Sequence, residues 1–449
     1  MPKHSFSVRG NPIALIFALL LACPWSAAAI AEGTSPATGV PTQLTPLLRT
    51  QVCATCESLD FVRQPITDAV AHYRWTLRVG PGELDRIGLH RVVHELAPFV
   101  PAPTPEAILL THGARTGFAG TFLSTVGPDG LNPSHNLPVY LAERGVDVWG
   151  VDLRWTLIPA DTVDLSPLAS WDMAQDAEDV GLVLGLARTV RRWTGHGNRK
   201  IDLLGYSYGG RVGYAYLDAE TEKPRWQRHV ARYVALEGLF KTADEAVRQE
   251  ACSRIDLLQA AIDGGNYGSP SLPLSQIGRL ALDAPDEPSQ AIPGLNNRQA
   301  ALFFVSSQGS AGLLPLHAFA GLFEAGFPIG LRLTREAAGF NLLASASGFQ
   351  PTAGIRDLMI VLCNDGRSTL DDRLHKVRTP VLYLGAAGGF ADNGLDTFPF
   401  LGSSELESLV VAFEPQGQER LDVGHGDIVM MDPADQLVWE PILDWITTR

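Results

Sequence analysis

Two short stretches hold residue types that can do chemistry together. In Gly205-Tyr206-Ser207-Tyr208-Gly209 a serine stands between two glycines, after the apolar residues 201–204 and before a helix-compatible run at 211–217. This is the pattern of a sharp strand-to-helix turn: the serine is held strained at the end of a buried strand, and small neighbours let adjacent backbone pass. A glycine-rich turn that merely contains serine would show the same five letters. The flanking strand and helix signals favour the reactive turn. A serine hydroxyl is a poor nucleophile until a base takes its proton, and that base needs a carboxylate to fix its tautomer. His425, in Gly424-His425-Gly426-Asp427, is the last of 11 histidines and the only one between the final strand signal and the closing helix.

The elements that would position these groups can be read from periodicity. Residues 72–79 and 90–96 alternate polar and apolar around a Pro-Gly turn, which predicts an antiparallel opening pair. Residues 107–111 are continuously apolar, as a strand buried on both faces should be, and end in His112-Gly113. A helix over 137–144, a strand over 146–152 and a helix over 170–193 follow, the last with Ser170 as its cap and Asp172, Asp176 and Asp179 near its positive end. The serine strand comes next, its helix after it, then a strand over 229–237 closed by Glu237. This strand-helix alternation predicts an α/β fold with a doubly wound, mostly parallel sheet. The alternation lapses over 241–372, with helical stretches at 243–261 and 298–304 and a Gly- and Ala-rich apolar portion at 313–349. Strands resume at 379–385 and 409–413, before a closing helix at 432–447.

The chain has 449 residues, 45% hydrophobic and 19% charged, enough for one large core with an insertion. Its net charge of −14 repels a polyanion at long range, so nucleic acid is not the expected partner. Residues 1–31 read as an export signal: Lys3 and Arg9, an apolar run at 13–22, and Ala29-Ile30-Ala31 before Glu32. The run is too short for a transmembrane anchor. Secretion, or delivery to a periplasm, is the expectation; Leu20-Leu21-Ala22-Cys23 resembles a lipoprotein box, with Pro24 against it. Residues 32–70 read as a flexible lead-in containing Cys53-Ala54-Thr55-Cys56. No metal-ligand spacing and no dinucleotide motif apart from the serine turn is present, so no cofactor is expected.

The strand-turn-helix around Ser207, the His112-Gly113 pair and the late His425 together resemble the α/β-hydrolase superfamily, esterase and lipase branch, over roughly residues 70–449. The resemblance implies core segments at 71–240 and 373–449 and a helical cap at 241–372. It implies the chain order Ser, acid, His, with His425 as base. Two carboxylates stand where such proteins carry the acid: Glu237 after its strand, the preferred candidate, and Asp392 in the loop after 379–385. It also implies an oxyanion hole from the amides of Tyr208 and Ala114, each such donor being worth about 2.7–4 kcal/mol of barrier. With Cys23 removed, four cysteines remain and three pairings are open; the expectation is Cys53 with Cys56, and Cys252 with Cys363 stapling the insertion.

The implied activity is hydrolysis of a small-molecule carboxylic ester with an apolar acyl or alcohol part. An amidase or peptidase on the same residues, and a non-catalytic hydrophobic-ligand binder, are the alternatives. Trp171-Asp172 is assigned to packing and capping, and Asp152 with Arg154 to one polar cluster at the floor of the site.

Overall fold

Apolar runs that look uniform in the sequence divide residue by residue between two cores once they are stacked into a sheet. The structure is a computed structural model describing residues 40–307, 314 and 316–448. The expected leader, with Cys23, lies outside the described residues. In chain order come helix α1 (Val40–Gln51) and strands β1 (Glu57–Pro65), β2 (Val70–Arg78), β3 (Arg86–Ala97) and β4 (Glu106–Thr111). Helix α2 (Leu137–Glu143), strand β5 (Val146–Asp152), helix α3 (Met173–Trp193), strand β6 (Ile201–Tyr206), helix α4 (Tyr208–Glu220) and strand β7 (Val230–Leu236) follow. The sheet order is β1-β2-β3-β5-β4-β6-β7 and then two late strands, β12 (Val381–Ala386) and β13 (Leu406–Val411). Joins from β1 to β5 are antiparallel and all later joins parallel. Leu109, Trp149, Leu203 and Tyr233 point into one core, and Ile108, Leu110, Val148, Leu204 and Val234 into the other. That two-sided burial is why these strands carry no polar alternation.

The long connection between β7 and the next sheet strand holds α5 (Glu245–Asp263), β8 (Gly268–Pro270), α6 (Leu272–Asp283), α7 (Asn297–Ser306), the hairpin β9 (Gly321–Glu324) and β10 (Phe327–Leu331), α8 (Glu336–Ala344), β11 (Phe349–Pro351) and α9 (Thr352–Cys363). β8 and β11 pair antiparallel, away from the main sheet. Cys252 on α5 is bonded to Cys363 at the end of α9, and Cys53 to Cys56. The sheet then resumes with β12 (Val381–Ala386) and β13 (Leu406–Val411), and the described chain ends in α10 (Glu440–Thr447). Among the described residues no helix is long and apolar enough to cross a membrane.

Several expectations are corrected. The lead-in holds a helix and a strand from residue 40 onward. Leu44, Leu47 and Leu48, at helical spacing, bury one face of α1 in the core, and β1 is a full edge strand whose Phe61 packs on Tyr73 and Trp75. The cap of α3 is Asp172, which accepts from Gln175 N at 2.9 Å; Ser170 lies in the preceding 3-10 turn. The closing helix is interrupted: residues 435–439 form a π-type turn before α10. Asp152 and Arg154 belong to separate clusters, Asp152 bonding His90 at 2.8 Å while Arg154 pairs with Asp179 and Asp85. The apolar portion at 313–349 holds a hairpin and a helix, and its Leu322, Phe327 and Ile329 are exposed rather than packed.

Candidate active site

Ser207 follows the last residue of β6 and caps the start of α4 with φ 54° and ψ −115°. A β-carbon is disfavoured at positive φ, and the conformation persists because the surroundings leave no alternative. Its N–H donates to Leu236 O at 2.9 Å. A side chain on Gly205 would collide with the main chain of Gly209, and one on Gly209 with the carbonyls of Thr111 and His112. Both glycines are therefore required by close approach of backbone.

Register brings the acid beside the serine. Tyr206 on β6 is paired with Leu236 on β7, so Ser207 and Glu237 are the next residues of neighbouring strands. Glu237 also has positive φ, 53°, and is fully buried. Its Oε1 accepts from Ala386 N at 2.6 Å and its Oε2 from Phe390 N at 2.9 Å. These amides lie at the end of β12 and in the loop beyond, and Gly389 passes so near the carboxylate that any side chain there would strike it. The remaining Oε2 acceptor position receives His425 Nδ1 at 2.7 Å, and His425 Nε2 lies 2.8 Å from Ser207 Oγ. A carboxylate accepting from two amides and an imidazole needs no hydrogen of its own. It fixes the proton of His425 on Nδ1 and leaves Nε2 as the acceptor facing the serine hydroxyl.

His425 is held on every side. The Tyr206 hydroxyl donates to His425 O at 2.8 Å and the Tyr206 ring stacks on the imidazole at 5.0 Å, while Phe390 meets it edge-on at 5.3 Å. Main-chain bonds tie its loop to the long connection: His425 N to His317 O at 2.9 Å and Gly426 N to Ala318 O at 2.6 Å. Asp427, buried and with its carboxyl pushed up to about 6 by burial, accepts from Gly424 N, Ala320 N and the Thr334 hydroxyl.

The His112-Gly113 turn lies directly over the serine. A β-carbon on Gly113 would stand 3.3 Å from Ser207 Cβ and 3.0 Å from the Tyr206 ring. His112 is buried, accepts from Leu153 N at 3.2 Å through Nε2, and so carries its hydrogen on Nδ1, which donates to Gly113 O at 2.8 Å. Burial holds its pKa down, keeping it neutral. Beyond the turn, Asp152 accepts from Phe118 N at 2.6 Å and from His90, whose charge and hydrogen bond overrule burial and keep the Asp152 carboxyl below its usual range. Tyr208 opens α4, where the first amides of a helix have no intrahelical acceptor. Its phenol donates to buried Asp176 at 2.7 Å.

The geometry therefore brings together Ser207, His425, Glu237, Tyr208 and the turn carrying Ala114. It leaves out Asp392, which is exposed on the 3-10 segment Ala391–Phe400, and its neighbour Asp396, which accepts from Thr242. Tyr206, Phe390, His317 and Ala318 were not anticipated. Tyr206 could have been suspected from its place inside the serine motif, whereas nothing local marks the other three.

No protein-family model matches the chain, and no curated protein matches it. Among solved structures it is similar to one provisionally described as a lipase from Sulfolobus solfataricus, at 19% identity and a TM-score of 0.55, covering 87% of this chain and 99% of that one. A soluble variant of monoglyceride lipase from Saccharomyces cerevisiae follows at 11% identity and 0.47, covering 87% and 96%. With the strand order, the strained serine turn after β6 and the late histidine, the first of these shows that the chain has the α/β-hydrolase fold.

Proposed function

We propose that the protein is a serine hydrolase of carboxylic esters. One observation carries the reading: His425 bridges Ser207 Oγ and Glu237 Oε2 at 2.8 and 2.7 Å through its two ring nitrogens. Ser207 Oγ adds to the ester carbon as its proton passes to His425 Nε2, and Glu237 stabilises the imidazolium that results. The amides of Tyr208 and Ala114 receive the oxyanion. When the C–O bond breaks, His425 returns the proton to the departing alkoxide and an alcohol leaves an acyl group on Ser207. Water, deprotonated by His425, then attacks the acyl carbon, releasing the acid and restoring the serine. No cofactor is needed.

The connection at 241–372 acts as a cap that shapes the substrate site, and its composition favours substrates with an apolar part. The paired cysteines support export to an oxidising compartment, with residues 1–31 as the removable signal. A fluorophosphonate probe should label Ser207, and Ser207→Ala should abolish both labelling and ester turnover. Absence of an adduct on the folded protein would favour the ligand-binding alternative. Faster cleavage of an anilide than of its matched ester would favour the amidase.

A further inference from the structure

Arg115 is a cation without an anion. Among the buried and half-buried arginines, Arg91 and Arg191 pair with Asp147, Arg154 with Asp179 and Asp85, and Arg232 with Asp202, whereas Arg211 donates to Leu239 O. Arg115 is itself only half-buried in exposure, yet among the described residues no acidic side chain pairs with it. Its guanidinium donates instead to two neutral hydroxyls, Ser271 Oγ at 3.2 Å and Ser269 Oγ at 3.4 Å. Burial without a compensating charge lowers its pKa.

The neighbourhood adds positive potential rather than cancelling it. Ser271 is the N-cap of α6, a 12-residue helix with no acidic residue in its first turn, and its hydroxyl makes no capping bond. The start of a helix carries the equivalent of about half a positive charge, so guanidinium and helix end repel unless an anion sits between them. Gln350 supplies a separate sign. Its Oε1 accepts from Arg115 N at 2.9 Å, while its Nε2, in a residue only 1% exposed, finds no acceptor. Cation and helix end thus meet at Ser271, the orphan amide belongs to a side chain held on the Arg115 main chain, and among the described residues no acidic side chain pairs with the guanidinium.

The Arg115 main chain follows closely on the turn that lies over Ser207. Arg115 is two residues beyond Gly113, whose missing β-carbon would stand 3.3 Å from that of Ser207. Its main chain, at φ 65°, is clamped to the cap by Ser347 N and Oγ, which donate to Arg115 O at 2.7 and 3.0 Å. The overall negative charge of the protein does not forbid an anion here, because salt screens exposed charges beyond about 8 Å whereas a half-buried contact is screened far less.

We propose that Arg115, Ser269 and Ser271 form a subsite for a carboxylate on the substrate, so that the favoured esters carry a free acid group beside the scissile bond. The proposal rests on the serine-hydrolase reading for its meaning, but not for its test. Monoethyl and diethyl esters of the aliphatic dicarboxylic acids from succinic to suberic acid are compared as substrates. The best monoester should exceed its diester in kcat/KM by about 10- to 100-fold, and Arg115→Met should collapse that ratio, mainly through KM. Losses of equal size on both esters, or no preference in the unaltered enzyme, would overturn the subsite. The paired variant Ser269→Ala/Ser271→Ala should shrink the ratio in the same direction and serves if Arg115→Met does not fold. Calorimetric titration of Ser207→Ala with monoethyl glutarate judges the subsite without turnover: binding should weaken at least about tenfold when Arg115→Met is added. If Ser207 takes no probe and neither ester is cleaved, the hydrolase reading falls, while this titration still supports or refutes the subsite.

Discussion

Glu237 shows how much one residue's role depends on its neighbours. A buried carboxylate is costly unless its oxygens are satisfied, and here two amides and an imidazole satisfy them. Because the side chain starts just past β7 and its amide partners lie at the end of β12 and in the loop beyond, the longer glutamate spans a gap that an aspartate would not. Glu237→Gln keeps the shape but puts an amide where His425 Nδ1–H donates, which misplaces the tautomer. Esterase turnover should fall by about 10⁴-fold, comparable to the loss when the carboxylate of a serine-protease triad becomes an amide. Asp392→Asn should leave kcat within about twofold, since such an exposed group is uncoupled from the site. Steady-state kinetics on one ester checks both, and a collapse confined to Asp392→Asn would reverse the assignment. The sequence favours Glu237 over Asp392 but leaves both open, because the choice turns on strand register and on how far a side chain reaches.

At the scale of elements, the strands were the most legible part of the chain. Runs such as residues 107–111 feed both cores at once, so hydrophobicity alone marks them. Helix α1 was missed for the opposite reason. Its leucines are few, Pro46 lies inside it, and the surrounding Thr and Pro residues read as a loop. Packing on the core overrides that weak local preference. The helix should therefore be structural: Leu48→Ala, which empties a fully buried position, should cost about 2–5 kcal/mol in urea unfolding. A change below about 0.5 kcal/mol would mean that α1 is not docked in solution. In the long connection the helical stretches at 243–261 and 298–304 were legible, as α5 and α7, and the rest showed only as a break in alternation. Its helices pack on one another and its two strand pairs stand apart from the main sheet, so no period links them to the core.

The whole molecule has an acid-sensitive seam where the antiparallel strands join the parallel ones. His72 on β2 lies 2.8 Å from His90, which in turn meets Asp152. Burial, reinforced by the charge of His90, depresses the pKa of His72 from 6.5 to about 3. An imidazole that stays neutral when folded but takes a proton when unfolded stabilises the fold fully above pH 6.5. That contribution is lost as pH falls from 6.5 toward 3, reaching on the order of 5 kcal/mol. The melting temperature should drop between pH 7 and pH 4, and His72→Phe should flatten that limb in scanning calorimetry. Equal slopes for both proteins would exclude His72 as the source.

The loop that bears His425 has a consequence for anyone recombining such proteins. Its amides end on carbonyls of His317 and Ala318, which belong to the long connection and not to the sheet. Exchanging that connection for one from another member of the fold would thus alter more than what may enter; it would remove the floor on which the imidazole rests. Chimeras should retain residues 317–320 from this parent, or the graft will yield a folded scaffold in which His425 has drifted out of line with Ser207.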